Sequence, residues 1–261
     1  METIITKEYE NVRLDKFLRK NCKNDSLSSI FSAIRTGKVK VNSKKVKQDY
    51  RLKCNDKLSI VELDFNLNEK VMKNYNKDYI VYEDENLLII NKPSGMPMHK
   101  GSTHLKGLAE LYNVDFANRL DVKTKGLVIS CKTPSMLRHV TTLIRESKLI
   151  KKYEAITVDD GKYKVGDEFV IENKLLTTDN GVIVSENGKL AKSIFKVIDI
   201  KNGNITFEVE LITGRKHQIR VQLQSIGLSI IGDDKYGKYK KNDELMLKCK
   251  YIEFDNYKFE I

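Results

Sequence analysis

Asp121 stands two residues after Arg119 and shortly before Gly126 and the apolar run Leu127-Val128-Ile129, in a segment from Asn118 to Ile129. A carboxylate with a reference pKa of about 3.9 is ionised near neutrality and can serve as nucleophile or base. Taken alone, an Asp so placed is usually a surface ion-pair or turn residue. A second segment, Thr213 to Val221, sets Arg215, Lys216, His217 and Arg220 close together and runs on to Gly232-Asp233 and Tyr236-Gly237. Drawing a carboxylate into a closed pocket raises its pKa by desolvation, and an Arg within about 4–6 Å opposes that rise. A third segment, Asn91 to His99, holds Pro93 and Pro97, two of the three prolines in the chain, which marks a shaped loop.

These residues need elements to hold them. Ile219, Leu223 and Ile226 form an apolar helical stripe that Gly227 can end. Arg215 and Arg220 are five apart and do not share one helical face, so one is expected before the helix and one on it. One Arg could then meet a buried carboxylate and the other a phosphate. Tyr79–Tyr82 and Leu87–Ile90, split by Asp84-Glu85-Asn86, predict a hairpin. Thr133 and Pro134 predict a helix start, with Met136, Leu137, Val140, Leu143 and Ile144 as its core stripe. Strands are expected over Tyr153–Val158, Ile194–Ile200, Ile205–Leu211 and Tyr251–Phe254, with Asn202-Gly203 as a hairpin turn. Strands joined mostly by hairpins predict an α+β fold with a mixed, mainly antiparallel sheet in residues 78–261.

The first 65 residues differ in character. Val12, Leu14, Phe17 and Leu18, then Leu27, Ile30, Phe31 and Ile34, predict two helices, with Ser26 capping the second and Gly37 ending it. Lys38–Val41 and Leu58–Ile60 alternate as short strands, giving a small α/β module. Between Arg13 and Lys57, fourteen Lys and Arg face four acids, a local balance of +10 within a chain total of +11. Charge so concentrated predicts a polyanion partner, nucleic acid foremost. Residues 66–77 are polar and predict a linker.

Cys22, Cys54, Cys131 and Cys249 are widely spread, which excludes a disulfide scaffold and offers no metal-ligand spacing. His99, His104, His139 and His217 are not spaced as metal ligands either, and His217 is expected nearest the site. No metal or cofactor is expected. Met1 to Ile5 lacks the pattern of a secretory signal, and no apolar run approaches the ~20 residues that span a bilayer. A soluble, cytoplasmic monomer with no membrane partner is the expectation.

Asn118 to Ile129 resembles the signature of RluA-type RNA pseudouridine synthases, His-Arg-Leu-Asp, two variable residues, Thr-Ser-Gly, then apolar residues. Lys92-Pro93-Ser94-Gly95 resembles the family's Lys-Pro-x-Gly loop, and Lys152-Tyr153 its Lys-x-Tyr or Lys-Lys-Tyr strand. Thr213 to Arg220, with Gly232-Asp233 and Tyr236-Gly237, resembles its C-terminal signature, and the four segments keep the family's order. The N-terminal module is similar to the RNA-binding domain first described in ribosomal protein S-four. Four positions depart: Asn118 replaces the usual His, Lys125 the usual Ser, Gln222 a frequent His, and Asn55-Asp56 the module's usual Gly-Asp.

The resemblance implies conversion of uridine to pseudouridine: uracil is detached from its sugar nitrogen, turned and rejoined through a ring carbon. It implies Asp121 as the essential carboxylate, Arg220 as its partner, and Tyr153 stacked on the target base, with Ile219 and Val221 walling the pocket. The base must first be extruded, at a cost of a few kcal/mol. Arg119 would fill the gap or hold a flanking phosphate. Lys123, Lys125, Arg215, Lys216 and His217 would hold the RNA, with Arg13, Lys16, Arg35, Lys38 and Lys40 of the module as a second contact. Large-subunit ribosomal RNA is the target so implied. A non-catalytic RNA-binding or ribosome-assembly protein remains the rival reading. A glycoside hydrolase is another, although it needs two carboxylates and Asp233 reads better as an ion-pair or turn residue.

Overall fold

The computed structural model describes residues 1–67, 77–100, 107–240 and 242–261. It divides into two compact units, Met1–Lys73 with Thr133–Arg138, and Asn74–Lys132 with His139–Ile261.

In the first unit, strand β1 (Glu2–Ile4) leads to helices α1 (Leu14–Asn21) and α2 (Leu27–Thr36), then β2 (Val39–Val41) and β3 (Lys57–Ile60). The antiparallel order is β1-β3-β2. Leu14, Phe17 and Leu18 of α1 and Ile30, Ala33 and Ile34 of α2 bury their stripes with Val39, Val41, Leu58 and Ile60. The Ser26 side chain accepts from Ser29 N–H at 3.1 Å, and Gly37 takes φ 78° at the other end of α2, as the sequence predicts. β1 was not predicted: three residues, Glu-Thr-Ile, hold too little alternation to read. Asn55 adopts φ 69°, the left-handed conformation that the usual glycine supplies. Asp56 beside it is buried but accepts from Asn42 Nδ2, Tyr50 Oη and Lys53 N–H at 2.7, 3.0 and 2.8 Å. The expected linker, residues 66–77, lies mostly outside the described residues.

The second unit is built on one large sheet. Its strands are β4 (Ile80–Glu83), β5 (Leu87–Lys92), β6 (Asp115–Phe116), β7 (Lys125–Cys131), β8 (Ile150–Val158), β9 (Glu168–Thr178) and β10 (Gly181–Val184). They continue as β11 (Lys189–Lys201), β12 (Asn204–Leu211), β13 (Leu247–Phe254) and β14 (Tyr257–Glu260). The order is β10-β9-β11-β12-β8-β13-β7-β5-β4, with β14 on β13 and β6 on β7. All pairings are antiparallel except β13 with β7, which run parallel over Lys248↔Lys125 and Cys249↔Gly126. This is the α+β, mainly antiparallel architecture expected. Its helices are α3 (Leu108–Tyr112), the part of α4 (Pro134–Arg145) from His139 onward, and α5 (Gln218–Ser225). Thr133 Oγ1 accepts from Met136 N–H at 3.3 Å at the start of α4. Asn202 and Gly203 turn β11 into β12 with φ 52° and 73°. No helix among the described residues is long and apolar enough to cross a membrane.

One row of residues sets the site. Tyr153 of β8 lies opposite Cys249 of β13, and Cys249 lies opposite Gly126 of β7. Gly126 is obligatory there: at φ 114°, an added Cβ would collide with the Cys249 carbonyl. The loop ending at Gly126 carries Asp121, so the register fixes the spacing of Asp121 and Tyr153.

Candidate active site

The loop from Arg119 to Lys125 is pinned from behind. Lys92, fully buried, donates from Nζ to the carbonyls of Pro93, Met96 and Val122, each at 2.9 Å. Burial pulls its pKa down to about 8 against the pull of Asp121. Ser94 Oγ donates to Lys123 O at 2.8 Å, and Gly95 N–H to Val122 O at 2.9 Å. The Lys-Pro-Ser-Gly segment is therefore the brace of the Asp121 loop.

In front of the loop lies a small pocket of about 370 Å³, its open mouth included. Asp121, Thr124, Tyr153, Leu211, Ile219 and Arg220 line it, with Arg119, Arg215, His217 and Gln218. Asp121 keeps 29% of its side chain exposed, so its carboxylate reaches the pocket rather than vanishing into the core. Arg220 Nη1 donates to Asp121 Oδ2 at 3.5 Å. Its shorter bonds go elsewhere: Nε and Nη2 clasp Asp233 Oδ2 and Oδ1 at 2.8 and 2.7 Å. Asp233 is 1% exposed and also accepts from the N–H groups of Lys235 and Tyr236, each at 3.0 Å. Despite the cost of burying it, the Arg220 guanidinium and these N–H groups hold its pKa below the usual carboxylate range. Asp233 is a fixed ion-pair and turn residue, not a second carboxylate in the pocket. Gly232 before it, at φ 79°, has its Cα against the Glu244 carbonyl, where a Cβ would not fit.

His217 faces the same oxygen as Arg220, its Nε2 3.7 Å from Asp121 Oδ2. The Tyr236 hydroxyl accepts from Val182 N–H at 3.0 Å and shares a hydrogen bond with His217 Nδ1, 2.6 Å away. Burial lowers the His217 pKa, opposed by Asp121 and assisted by Arg220, Lys216 and Lys235. Tyr153 is buried, and burial together with Cys249 and Asp121 raises its phenol well above the ordinary tyrosine pKa. It is a hydrogen-bond donor at neutral pH, not a standing base.

One assignment needs correction. Val221 does not wall the pocket; it packs with Leu175, Val182 and Ala191 on the other side of α5. Lys123 is paired with Asp234 at 3.1 Å and Lys125 with Glu244 at 2.7 Å, so both stitch the loop to the 233–244 segment. Arg215 stands before α5 and Arg220 on it, as predicted, and Arg215 Nε donates to Leu190 O at 2.8 Å. Arg119 and Lys216 are exposed beside the pocket. In the first unit, Lys16, Arg35 and Lys40 are exposed, whereas Arg13 pairs with Asp15 at 2.7 Å and Lys38 pairs with Glu62. His104 lies outside the described residues, and His139 bonds Asp255 at 2.7 Å. Among the described residues no cluster of His, Cys, Asp or Glu could hold a metal ion.

Sequence reasoning gave no role to Thr124, Gln218 or Tyr236. Thr124 Oγ1 is buried at the pocket without a hydrogen-bond partner. Gln218 Oε1 accepts from Arg215 N–H at 2.9 Å and Thr213 Oγ1 at 2.8 Å, squaring the turn into α5. All three residues stood inside recognised motifs, so their positions were the available signal.

Residues 86–225 match the model of the RNA pseudouridylate synthase family. The chain belongs to that family. It is similar to a protein of Buchnera aphidicola subsp. Baizongia pistaciae named ribosomal large subunit pseudouridine synthase C, 34% identical over 89% of this chain and 79% of the relative. Proteins of the same name in Vibrio parahaemolyticus and Escherichia coli K12 are 31% and 32% identical, covering 98% and 89% of this chain and 87% and 78% of theirs. Two solved structures share the fold. Human RNA pseudouridylate synthase domain containing 1 superposes with TM-score 0.58 at 20% identity, covering 70% of this chain and 81% of that one. Human RNA pseudouridylate synthase domain containing 4 gives 0.55 at 24% identity, covering 68% and 84%. The chain is thus an RNA pseudouridine synthase, an isomerase, and the reading as a mere RNA binder is set aside.

Proposed function

We propose that the protein converts specific uridines of large-subunit ribosomal RNA to pseudouridine in the cytoplasm, acting as a monomer with Asp121 as its essential carboxylate. The observation that carries the assignment is the convergence on one oxygen: Arg220 Nη1 at 3.5 Å and His217 Nε2 at 3.7 Å both face Asp121 Oδ2 at the pocket. In the reaction the bond from uracil N1 to the sugar C1′ breaks, the ring turns, and C5 bonds to C1′. The C5 proton leaves and N1 gains one, so product and substrate are isomers. Asp121 is the group placed to attack C1′ or to take a proton beside it, with Arg220 as the cation facing it. Tyr153 offers a flat ring with a protonated hydroxyl, Ile219 and Leu211 offer apolar walls, and the unpartnered Thr124 hydroxyl can bond a uracil edge. Arg119, exposed at the rim, takes the place of the extruded base or a flanking phosphate.

Residues 1–65, within the first unit, are proposed as the S-four-like RNA-binding domain, joined through 66–77 to the catalytic residues 78–261. Lys16, Arg35 and Lys40 are its exposed cations, and its RNA contact would follow shape and phosphate more than base edges. Lys216 and Arg215 would add contacts at the pocket, whereas Lys123 and Lys125 act through their ion pairs. The test is pseudouridine mapping of ribosomal RNA from cells carrying the protein, lacking it, or carrying Asp121→Asn. The expected result is a site present in the first and lost in both others; a site retained with Asp121→Asn refutes the assignment.

A further inference from the structure

A second and larger cleft opens beside the Asp121 pocket, about 1620 Å³ with its open mouth included, and shares Arg119, Tyr153, Leu211 and Arg215 with it. Its chemistry differs from that of the pocket. Lys151 and Tyr153 are two apart on β8 and so present one face, which sets Lys151 along the cleft from Tyr153. The Lys151 Nζ lies next to Gly214, 3.8 Å from where a Cβ on that residue would stand. Burial lowers the pKa of Lys151, and no hydrogen bond or ion pair holds its ammonium among the described residues. Lys151 is half-buried, so its ammonium reaches the cleft and can meet an anion there. Asn118 supplies an independent sign. It lines the same cleft and is 8% exposed; its Oδ1 accepts from Ile129 N–H at 2.7 Å, while its buried Nδ2 has no partner. Arg145 stands at the cleft's edge, and Glu210 is the one carboxylate among the lining residues.

We propose that this cleft seats the phosphodiester of the nucleotide next to the extruded uridine, with Lys151 as its cation and the Asn118 amide as a second donor. The inference rests on the Asp121 pocket taking that uridine, because Arg119, Tyr153, Leu211 and Arg215 line both cavities. An anion gives the unpartnered ammonium its counter-charge and the orphaned amide an acceptor. The apolar lining of Ile144, Leu149 and Ile150 gives the neighbouring base a dry wall. Asn118, which stands in place of the family's usual His, brings a neutral donor that does not titrate.

The experiment uses unmodified ribosomal RNA from cells lacking the protein, and measures single-turnover rate, KM and the salt dependence of binding. Lys151→Met is expected to raise KM about tenfold, hold kcat within about twofold, and reduce the log–log salt slope by about one phosphate's worth. Lys151→Arg should restore both. Arg145→Gln, at an exposed position that carries no folding risk, should shift the slope in the same direction by less. Unchanged KM and slope in Lys151→Met and Arg145→Gln overturn the proposal. So does a fall in kcat at constant KM, or an equal slope change in Lys196→Met on exposed β11. If the wild-type protein forms no pseudouridine, the reading of the Asp121 pocket fails instead, and the binding slopes still decide the cleft.

Discussion

The first unit and the Asp121 region handle buried polarity in opposite ways. In the first unit, Asp56 is buried and accepts three hydrogen bonds, and none of its buried side-chain atoms lacks a partner among the described residues. In the second, Asn118 Nδ2, Thr124 Oγ1 and Ser130 Oγ are buried without partners, and all three belong to the Asp121 loop or to β7, into which it runs. Orphaned buried donors cost about 1–3 kcal/mol each. The small module spends nothing of that kind and keeps its charge outside. The difference teaches where ligand chemistry is built in: the pocket is polar before it is filled, whereas the module binds through groups already solvated.

The strongest way to break that contrast is Asp121→Asn. Isomerisation should fall by at least ~10³-fold, the size of a full acid–base or nucleophilic contribution, while RNA affinity stays within about threefold. Product formation and filter binding measured on the same variant decide it. A parallel loss of affinity would mean that the carboxylate organises the RNA surface rather than the chemistry.

Next in size is Arg220→Met. It leaves Asp233 buried with only two backbone donors and Asp121 without its cation, so folding should lose ~3–5 kcal/mol by urea titration. Arg220→Met combined with Asp233→Leu replaces the pair by apolar groups and should recover most of that stability but no activity. Recovery of both would show that Arg220 is only a structural tie.

Sequence made some of this legible and hid the rest for physical reasons. Local signals were reliable: Ser26 and Gly37 bounded α2, Asn202-Gly203 turned β11 into β12, and the spacing of Arg215 and Arg220 placed one before α5 and one on it. β9 was missed because only Ile171 and Leu175 are fully buried along its eleven residues, and Glu168, Glu172 and Lys174 interrupt the alternation. Asp121, Tyr153 and Arg220 could be named from their motifs, but their meeting depends on Tyr153, Cys249 and Gly126 sharing one row of the sheet. Neither the grip of Arg220 on Asp233 nor the pairing of Lys125 with Glu244 has any local signature. Lys151 stood inside the Lys-Lys-Tyr motif, but nothing local shows that it lines a cleft while its neighbour Lys152 pairs with Glu208 at 2.9 Å.

A smaller effect sharpens the module's side of the comparison. Replacing Lys16, Arg35 and Lys40 together by Gln should leave stability nearly unchanged, because none of them is buried. The salt slope of RNA binding should drop by roughly 2–3 if each meets one phosphate. The same triple change should leave single-turnover rates on saturating RNA within about twofold. A slope equal to the wild type would remove the module from the RNA interface.

The smallest effect tests how the pocket sets its own charges. Burial lowers the His217 pKa, so the folded protein holds this ring neutral where the unfolded chain would protonate it. The sign follows from proton counting: the unfolded state binds more protons as pH falls below about 6.5, so stability declines in that direction. The contribution is intact above the unfolded pKa and is lost as pH falls through the folded one. His217→Gln should therefore lose less stability than the wild type between pH 7 and pH 5, measured by urea unfolding at both. Asp121 opposes the burial effect, so Asp121→Asn should move the His217 titration lower still, read from its ring resonances by NMR. An unmoved titration would separate the two side chains electrically, despite the 3.7 Å between His217 Nε2 and Asp121 Oδ2.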